Sequence, residues 1–237
     1  MKTSPVNFAT AISHTDSVKE PEFKHFPSSE CRGYSFGEKA VTAFTTGVGV
    51  VATTAVLAKR AGYSLNYKKV FSNIKNSYLA KVRYEDKQII PIGIGSCLGG
   101  LAGGYMVDKN PENRRAKKRE ALMQIGNISI PILAVSGADR LTRNKNKYLK
   151  AGCTVGGFVF GVYIANILMN IFNNVLFREN NSRSVKITDF SVHLDDMVVA
   201  AQYLSDAKII YYISRAIPPV LMIPGYESGT KKAGRQN

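Results

Sequence analysis

Three stretches of the chain carry residue types that do chemistry elsewhere. Gly95-Ser96-Cys97-Leu98-Gly99 has the form of a nucleophile elbow with cysteine as the nucleophile. That device needs a strand before it, a helix after it and a histidine base. Here both flanks are apolar, and the one histidine downstream, His193, lies in a polar segment. The glycine run Gly93–Gly104 does not complete a G-x-G-x-x-G dinucleotide loop, because Leu98 stands where the third glycine would follow Gly93 and Gly95. Ser191-Val192-His193-Leu194-Asp195-Asp196 sets one histidine beside two carboxylates, which is a fragment of a metal site. An acidic helix N-terminus favoured by the macrodipole is the plainer account. We therefore expect no catalytic residue, no metal, no cofactor and no enzymatic activity.

The polar feature of most interest is a stripe of amides. Asn166, Asn170 and Asn173 (or Asn174) recur at helical spacing inside a long uncharged block. Such a stripe either lines a polar path or bonds one helix to another, at about 0.6 kcal/mol per contact. Glycines form a second pattern. Gly95, Gly99 and Gly103 recur every fourth residue, and Gly157, Gly161 and Ala165 repeat the spacing later. G-G-x-x-x-G followed closely by tyrosine occurs at Gly99–Tyr105 and again at Gly156–Tyr163. In water, each glycine costs a helix about 1 kcal/mol relative to alanine. In lipid, the backbone has no water to bond, a helix is nearly obligatory, and small residues let two helices approach closely. These faces read as glycine-zipper helix-packing surfaces, and the expected partner is a homo- or hetero-oligomer associating through them.

The elements that must carry these residues are uncharged blocks separated by basic connectors. Residues 40–58, 88–107, 121–138 and 151–177 contain no Asp, Glu, Lys, Arg or His, and a spanning helix needs roughly 17–25 residues. A soluble amphipathic helix would carry charge on one face. The expected fold class is all-α, an integral membrane helical bundle of about four glycine-rich transmembrane helices with peripheral amphipathic or re-entrant helices. Residues 36–177 form the transmembrane domain. Residues 1–35 mix polar and charged types without period and are expected to be a disordered polar tail. Residues 178–225 are expected to form short soluble or interfacial helices, with an interfacial or re-entrant element near Lys208–Gly225, and 226–237 a free tail. The opening residues lack an apolar signal region, so targeting falls to an internal block. A bacterial inner membrane is the favoured location, and an organellar inner membrane the alternative.

The formal net charge is +15, and it is concentrated beside the apolar blocks. The connector Lys59–Lys87 holds eight Lys/Arg against two acids, Asp108–Glu120 six against three, and Asp139–Lys150 five against one. Cations in such places meet anionic lipid headgroups, at about 1 kcal/mol each. Arg114, Arg115, Lys117, Lys118 and Arg119 are expected to make these contacts, as are Lys68 and Lys69 on a basic helix with Tyr67, Phe71, Ile74, Tyr78 and Val82 on its apolar face. Nucleic acid is not expected, since the charge lies in connectors and not on a folded basic face. Three consecutive basic connectors conflict with the rule that cationic loops stay on the cytoplasmic side. The arrangement with least conflict puts Lys59–Lys87 and Asp139–Lys150 on one side, and the Asp108–Glu120 turn with the N-terminal tail on the other. Cys31, Cys97 and Cys153 make no disulfide framework.

The layout resembles, in size and glycine-rich four-span arrangement only, the channel-forming subunits of the mitochondrial inner-membrane preprotein translocases. That family places an Arg and an Asp at set distances after an aromatic residue. Here Arg114 and Arg115 follow Tyr105 with no Asp at that spacing, so no residue role is carried over. The function expected from the residues themselves is that of a non-enzymatic scaffold or assembly subunit. The alternative is a pore or carrier for a small polar solute, with Asn166, Asn170 and Asn173 along its path.

Overall fold

Ser35 opens the first helix with a capping box. Its hydroxyl accepts from the Glu38 N–H, and the Glu38 carboxylate accepts from the Ser35 N–H. In this computed structural model, residues 33–65, 86–178 and 217–234 are described, and among them all regular structure is helical. Helix α1 runs Phe36–Arg60, α2 Asp86–Val107, α3 Pro111–Leu141 and α4 Lys147–Phe177. Two short helices, α5 (Ile217–Val220) and α6 (Met222–Thr230), close the order. Helices α1 to α4 are each long and apolar enough to cross a membrane. The chain is thus an all-helical, multi-pass membrane protein.

Spans α1, α3 and α4 each begin at a side-chain cap. Asn110 caps α3 by accepting from the Glu112 N–H at 2.9 Å, and Pro111 occupies the first helical position, where no N–H is needed. Asn146 caps α4 by accepting from the Leu149 N–H at 2.8 Å. The spans are longer than their uncharged blocks, because the basic run Arg114–Arg119 is helical and forms the first turns of α3. Helix α3 continues through Pro131.

The packing is antiparallel from α1 to α4. Gly103 lies against Thr42, Gly99 against Thr45 and Thr46, and Gly95 against Gly49 and Thr53, so α2 descends as α1 rises. Gly93 on α2 meets Ile128 on α3, and Gly161 on α4 meets Pro131 and Ala134 on α3. One end of the bundle gathers Tyr34, the α2–α3 turn at Asp108–Asn110, and the α4 terminus at Phe177. The other end holds Arg60, the start of α2 and the α3–α4 turn. The basic turn after α2 therefore stands beside the start of α1, at the opposite end of the bundle from Arg60 and the α3–α4 turn.

The distribution of burial is that of a bilayer protein. Of the most apolar window of each span, 22% is buried in α1 and 28% in α4, against 44% in α2 and 50% in α3, so α1 and α4 form the flanks. Phe44, Val51 and Val175 are exposed, whereas Thr42, Thr46, Ser96 and Thr154 are fully or almost fully buried. Four of the five α1 threonines, Thr42, Thr45, Thr46 and Thr53, spend their hydroxyls within the helix. Thr42 donates to the Glu38 carbonyl at 3.0 Å, Thr46 to Thr42 at 2.7 Å and Thr53 to Gly49 at 2.9 Å. Val50, Ile89, Ile92, Ile128, Ile132, Ile217 and Leu221 form an apolar core, so Ile217 of α5 and the Leu221 that follows it pack among the first three spans.

Two expected boundaries move. Tyr34 and Ser35, assigned to the tail, are anchored and start α1. Tyr226–Thr230, expected as a free tail, is the second half of α6 and buries Ser228 and Gly229. The physical reason lies in Gly225 and Gly229, whose one-turn spacing makes a face narrow enough to enter the bundle. The amphipathic segment Tyr67–Val82 with Lys68 and Lys69, the His193 cluster, and most of 178–225 lie outside the described residues, as do residues 1–32.

Candidate functional site

The glycine faces are used within the chain. A Cβ added at Gly99 would lie 3.1 Å from Thr46 Cα, one at Gly103 2.9 Å from Thr42 Cα, and one at Gly49 3.0 Å from the Gly95 carbonyl carbon. The Gly95 carbonyl oxygen beside Gly49 and the Thr45 oxygens beside Gly99 and Gly103 lie closer still, where real Cβ atoms do not fit. Gly95, Gly99 and Gly103 thus form the seam that receives α1. On α4, Gly161 would meet Pro131 Cα at 2.6 Å and Gly157 would meet Ala138 Cβ at 3.0 Å; Ala165 is fully buried on the same helix. This second face receives α3.

A third glycine seam escaped the sequence reading. Gly100 and Gly104 point away from α1 and toward α6, where Gly225 and Gly229 stand one turn apart. An added Cβ at Gly100 would lie 3.1 Å from Gly225 Cα, and one at Gly104 2.9 Å from Gly229 Cα. Helix α2 is therefore glycine-faced on two sides, and α6 packs along it in parallel. The signal was present as two i, i+4 pairs. It was obscured because Pro218, Pro219 and Pro224 argue against a helix at that place.

The end of the bundle near the α2–α3 turn is polar and closed. Lys117 is 0% exposed. An ammonium has three N–H groups, and here each finds an acceptor: the Asp108 carboxylate at 2.8 Å, the Lys231 carbonyl at 3.1 Å, and the Tyr34 hydroxyl oxygen. Tyr34 in turn donates its own proton to Asp108. Burial alone would push the Asp108 carboxyl up. The hydrogen bonds from Lys117, Tyr34 and the Asn110 N–H outweigh it and hold Asp108 below the usual carboxylate range. Burial pushes the Tyr34 hydroxyl well above its usual value, and its bond to Asp108 adds to the rise. Beside this hub, the Gln124 amide donates to Glu120 at 3.1 Å and to Glu227 of α6 at 2.9 Å, while Lys231 lies 3.6 Å from Glu120. The partner that Gln124, inside an uncharged block, finds on a neighbouring helix is thus supplied by α6.

The basic run has a different occupation from the one its composition suggests. Lys117 is sealed from lipid, which corrects its assignment to headgroup contact. The cause is the pairing of a buried cation with Asp108 across the turn, which a linear charge count does not register. Arg114 caps α2: its guanidinium donates to the Tyr105 carbonyl and to the Asp108 carbonyl, both at 3.0 Å, and stacks 5.2 Å from the Tyr105 ring centroid. Arg115 donates to the Phe177 carbonyl at the end of α4, and Arg119 stacks over the Phe177 ring. Neither α2 nor α4 has a basic residue in its own last turn. Their C-terminal dipoles are met by cations from α3. Arg115 and Lys118 are exposed at this end.

The asparagine stripe lies on the α3 side of α4. Asn166 and Asn173 are buried and Asn170 is half-buried. Asn170 donates to Asn166 at 3.0 Å, and Asn173 donates to the Arg119 carbonyl at 3.4 Å. Cys97 and Ser96 are fully buried midway along α2. Among the described residues there is no group of three or more His, Cys, Asp or Glu placed to hold a metal. No family model, curated protein or solved structure matches this chain.

Proposed function

We propose that the protein is a non-enzymatic structural subunit of a membrane assembly. The observation that supports this most directly is the contrast between its seams and its flanks. The glycine faces at Gly95–Gly103, Gly100–Gly104 and Gly157–Gly161 are filled from within the chain, which makes a closely packed slab. The outer sides of α1 and α4 are broad and uncharged. Association with other subunits therefore falls to these flanks; the glycine-zipper faces expected to drive it are occupied within the chain, and the glycines of the uncharged blocks with open space beside them are Gly137 on α3 and Gly152 and Gly156 on α4. Connectors of about thirty residues or fewer leave little room for a separate catalytic domain. Exposed Arg115 and Lys118 suit anionic headgroups at one bilayer surface. A bacterial inner membrane is the setting we favour.

Photo-crosslinkers placed at Val159 on α4 and Val51 on α1 test this in intact membranes. A discrete protein adduct at one flank is the expected result. Lipid adducts alone at both flanks would remove the assembly role.

A further inference from the structure

The α3–α4 seam contains buried polar groups that no other described residue satisfies. Three contacts define one antiparallel register: Gly161 on Pro131, Asn173 on the Arg119 carbonyl, and Arg115 on the Phe177 carbonyl. In that register Asn127 is level with Ala165 and so beside Asn166. Both face the seam. Asn127 precedes Pro131 by one turn on the α4-facing side of α3. Asn166 follows Val162 by one turn, and Val162 packs on Val135 of α3. Asn127 is 4% exposed and Asn166 8% exposed, yet the Nδ2 of each has no hydrogen-bond partner among the described residues. A third group stands at the same place. Pro131 has no N–H to offer the carbonyl one turn back, which is that of Asn127.

Buried polar groups in a bilayer are satisfied, and where side chains fail to do so a small polar molecule takes the role. Two amide donors and one carbonyl acceptor fit a neutral molecule that both accepts and donates. They do not fit a cation, which the N–H groups would repel. An anion is not matched either, since the uncharged blocks 121–138 and 151–177 supply no cationic side chain. We propose that the middle of the α3–α4 seam binds a small neutral hydrogen-bonding molecule, water or a solute such as urea, between Asn127 and Asn166. Asn127 is close to the midpoint of α3, so the site lies deep in the membrane. It is independent of the assembly role, and the failure of either leaves the other standing.

The full-length protein, with Cys31, Cys97 and Cys153 replaced by serine and with Asn127→Cys or Asn166→Cys introduced, is reconstituted in liposomes and exposed to a small cationic methanethiosulfonate. Only a thiolate reacts, and thiolate forms where water reaches, so both positions are expected to label at least roughly tenfold faster than Ile171→Cys on the lipid flank. Slowing of the reaction by urea assigns the occupant as a solute of that kind; no slowing assigns it as water. Equal, negligible labelling at all three positions overturns the proposal. For the chain without substitutions, 15N-asparagine labelling gives a second reading. A buried side-chain amide exchanging magnetisation with water supports the site, and its absence from every buried amide means that the asparagines pair with one another.

Discussion

Lys117 Nζ lies 2.8 Å from Asp108 Oδ2, with the lysine side chain at 0% exposure and the aspartate at 10%. The two residues belong to different sides of the α2–α3 turn, and through the Lys231 carbonyl the same ammonium reaches the segment after α6. One cation thus ties Tyr34, the turn and the C-terminal segment into a single closed end.

Removing one member of such a pair leaves the other charged and buried, which costs about 3–5 kcal/mol. Lys117→Met is expected to destabilise by that amount in detergent-micelle unfolding titrations. Lys117→Met combined with Asp108→Asn is expected to cost less than the sum of the two single changes. Additive losses would mean that the residues act separately.

Stability is expected to fall at both extremes of pH. Asp108 is held below its unfolded value of about 3.9, so its contribution is present above that pH and disappears as pH falls through the folded value. Tyr34 is raised above its unfolded value of about 10, so its contribution is complete below pH 10 and is lost progressively as pH rises beyond it. Thermal unfolding across the pH range checks both limbs. Asp108→Asn should flatten the acid limb and Tyr34→Phe the alkaline one.

The glycines are not equivalent. Gly100→Leu must displace the Gly225 backbone, and overpacking of this kind typically costs 1–3 kcal/mol or more. Gly152→Leu points into open space and is expected to leave the isolated protein within about 0.5 kcal/mol of the parent. If both changes prove equally harmful, the α2–α6 seam is not where α6 docks.

Cysteine replacements at Lys109 and Asn144 are expected to label from opposite faces of the bilayer. Both reacting from one face would mean that α3 does not cross. The end bearing Lys109 has part of its charge withdrawn, since Lys117 is neutralised by Asp108 and Lys231 stands beside Glu120. That softens the conflict among the three basic connectors.

Much of the architecture was legible in the order of residues. Runs of roughly twenty residues without charge force helices once lipid is the solvent. The i, i+4 glycines identified two of the three close seams for the same reason, because spacing along a helix is fixed by its geometry. Which face met which helix was not legible. The glycines at 95, 99 and 103 admit a second molecule as readily as α1, and only the three-dimensional arrangement assigned them to α1. The role of Lys117 was equally hidden, since burial and the meeting of Tyr34, Asp108 and Lys231 depend on parts of the chain far apart in sequence. Local spacing is written in the polymer; the pairing of distant surfaces, and with it the fate of each buried charge, is settled when the helices pack.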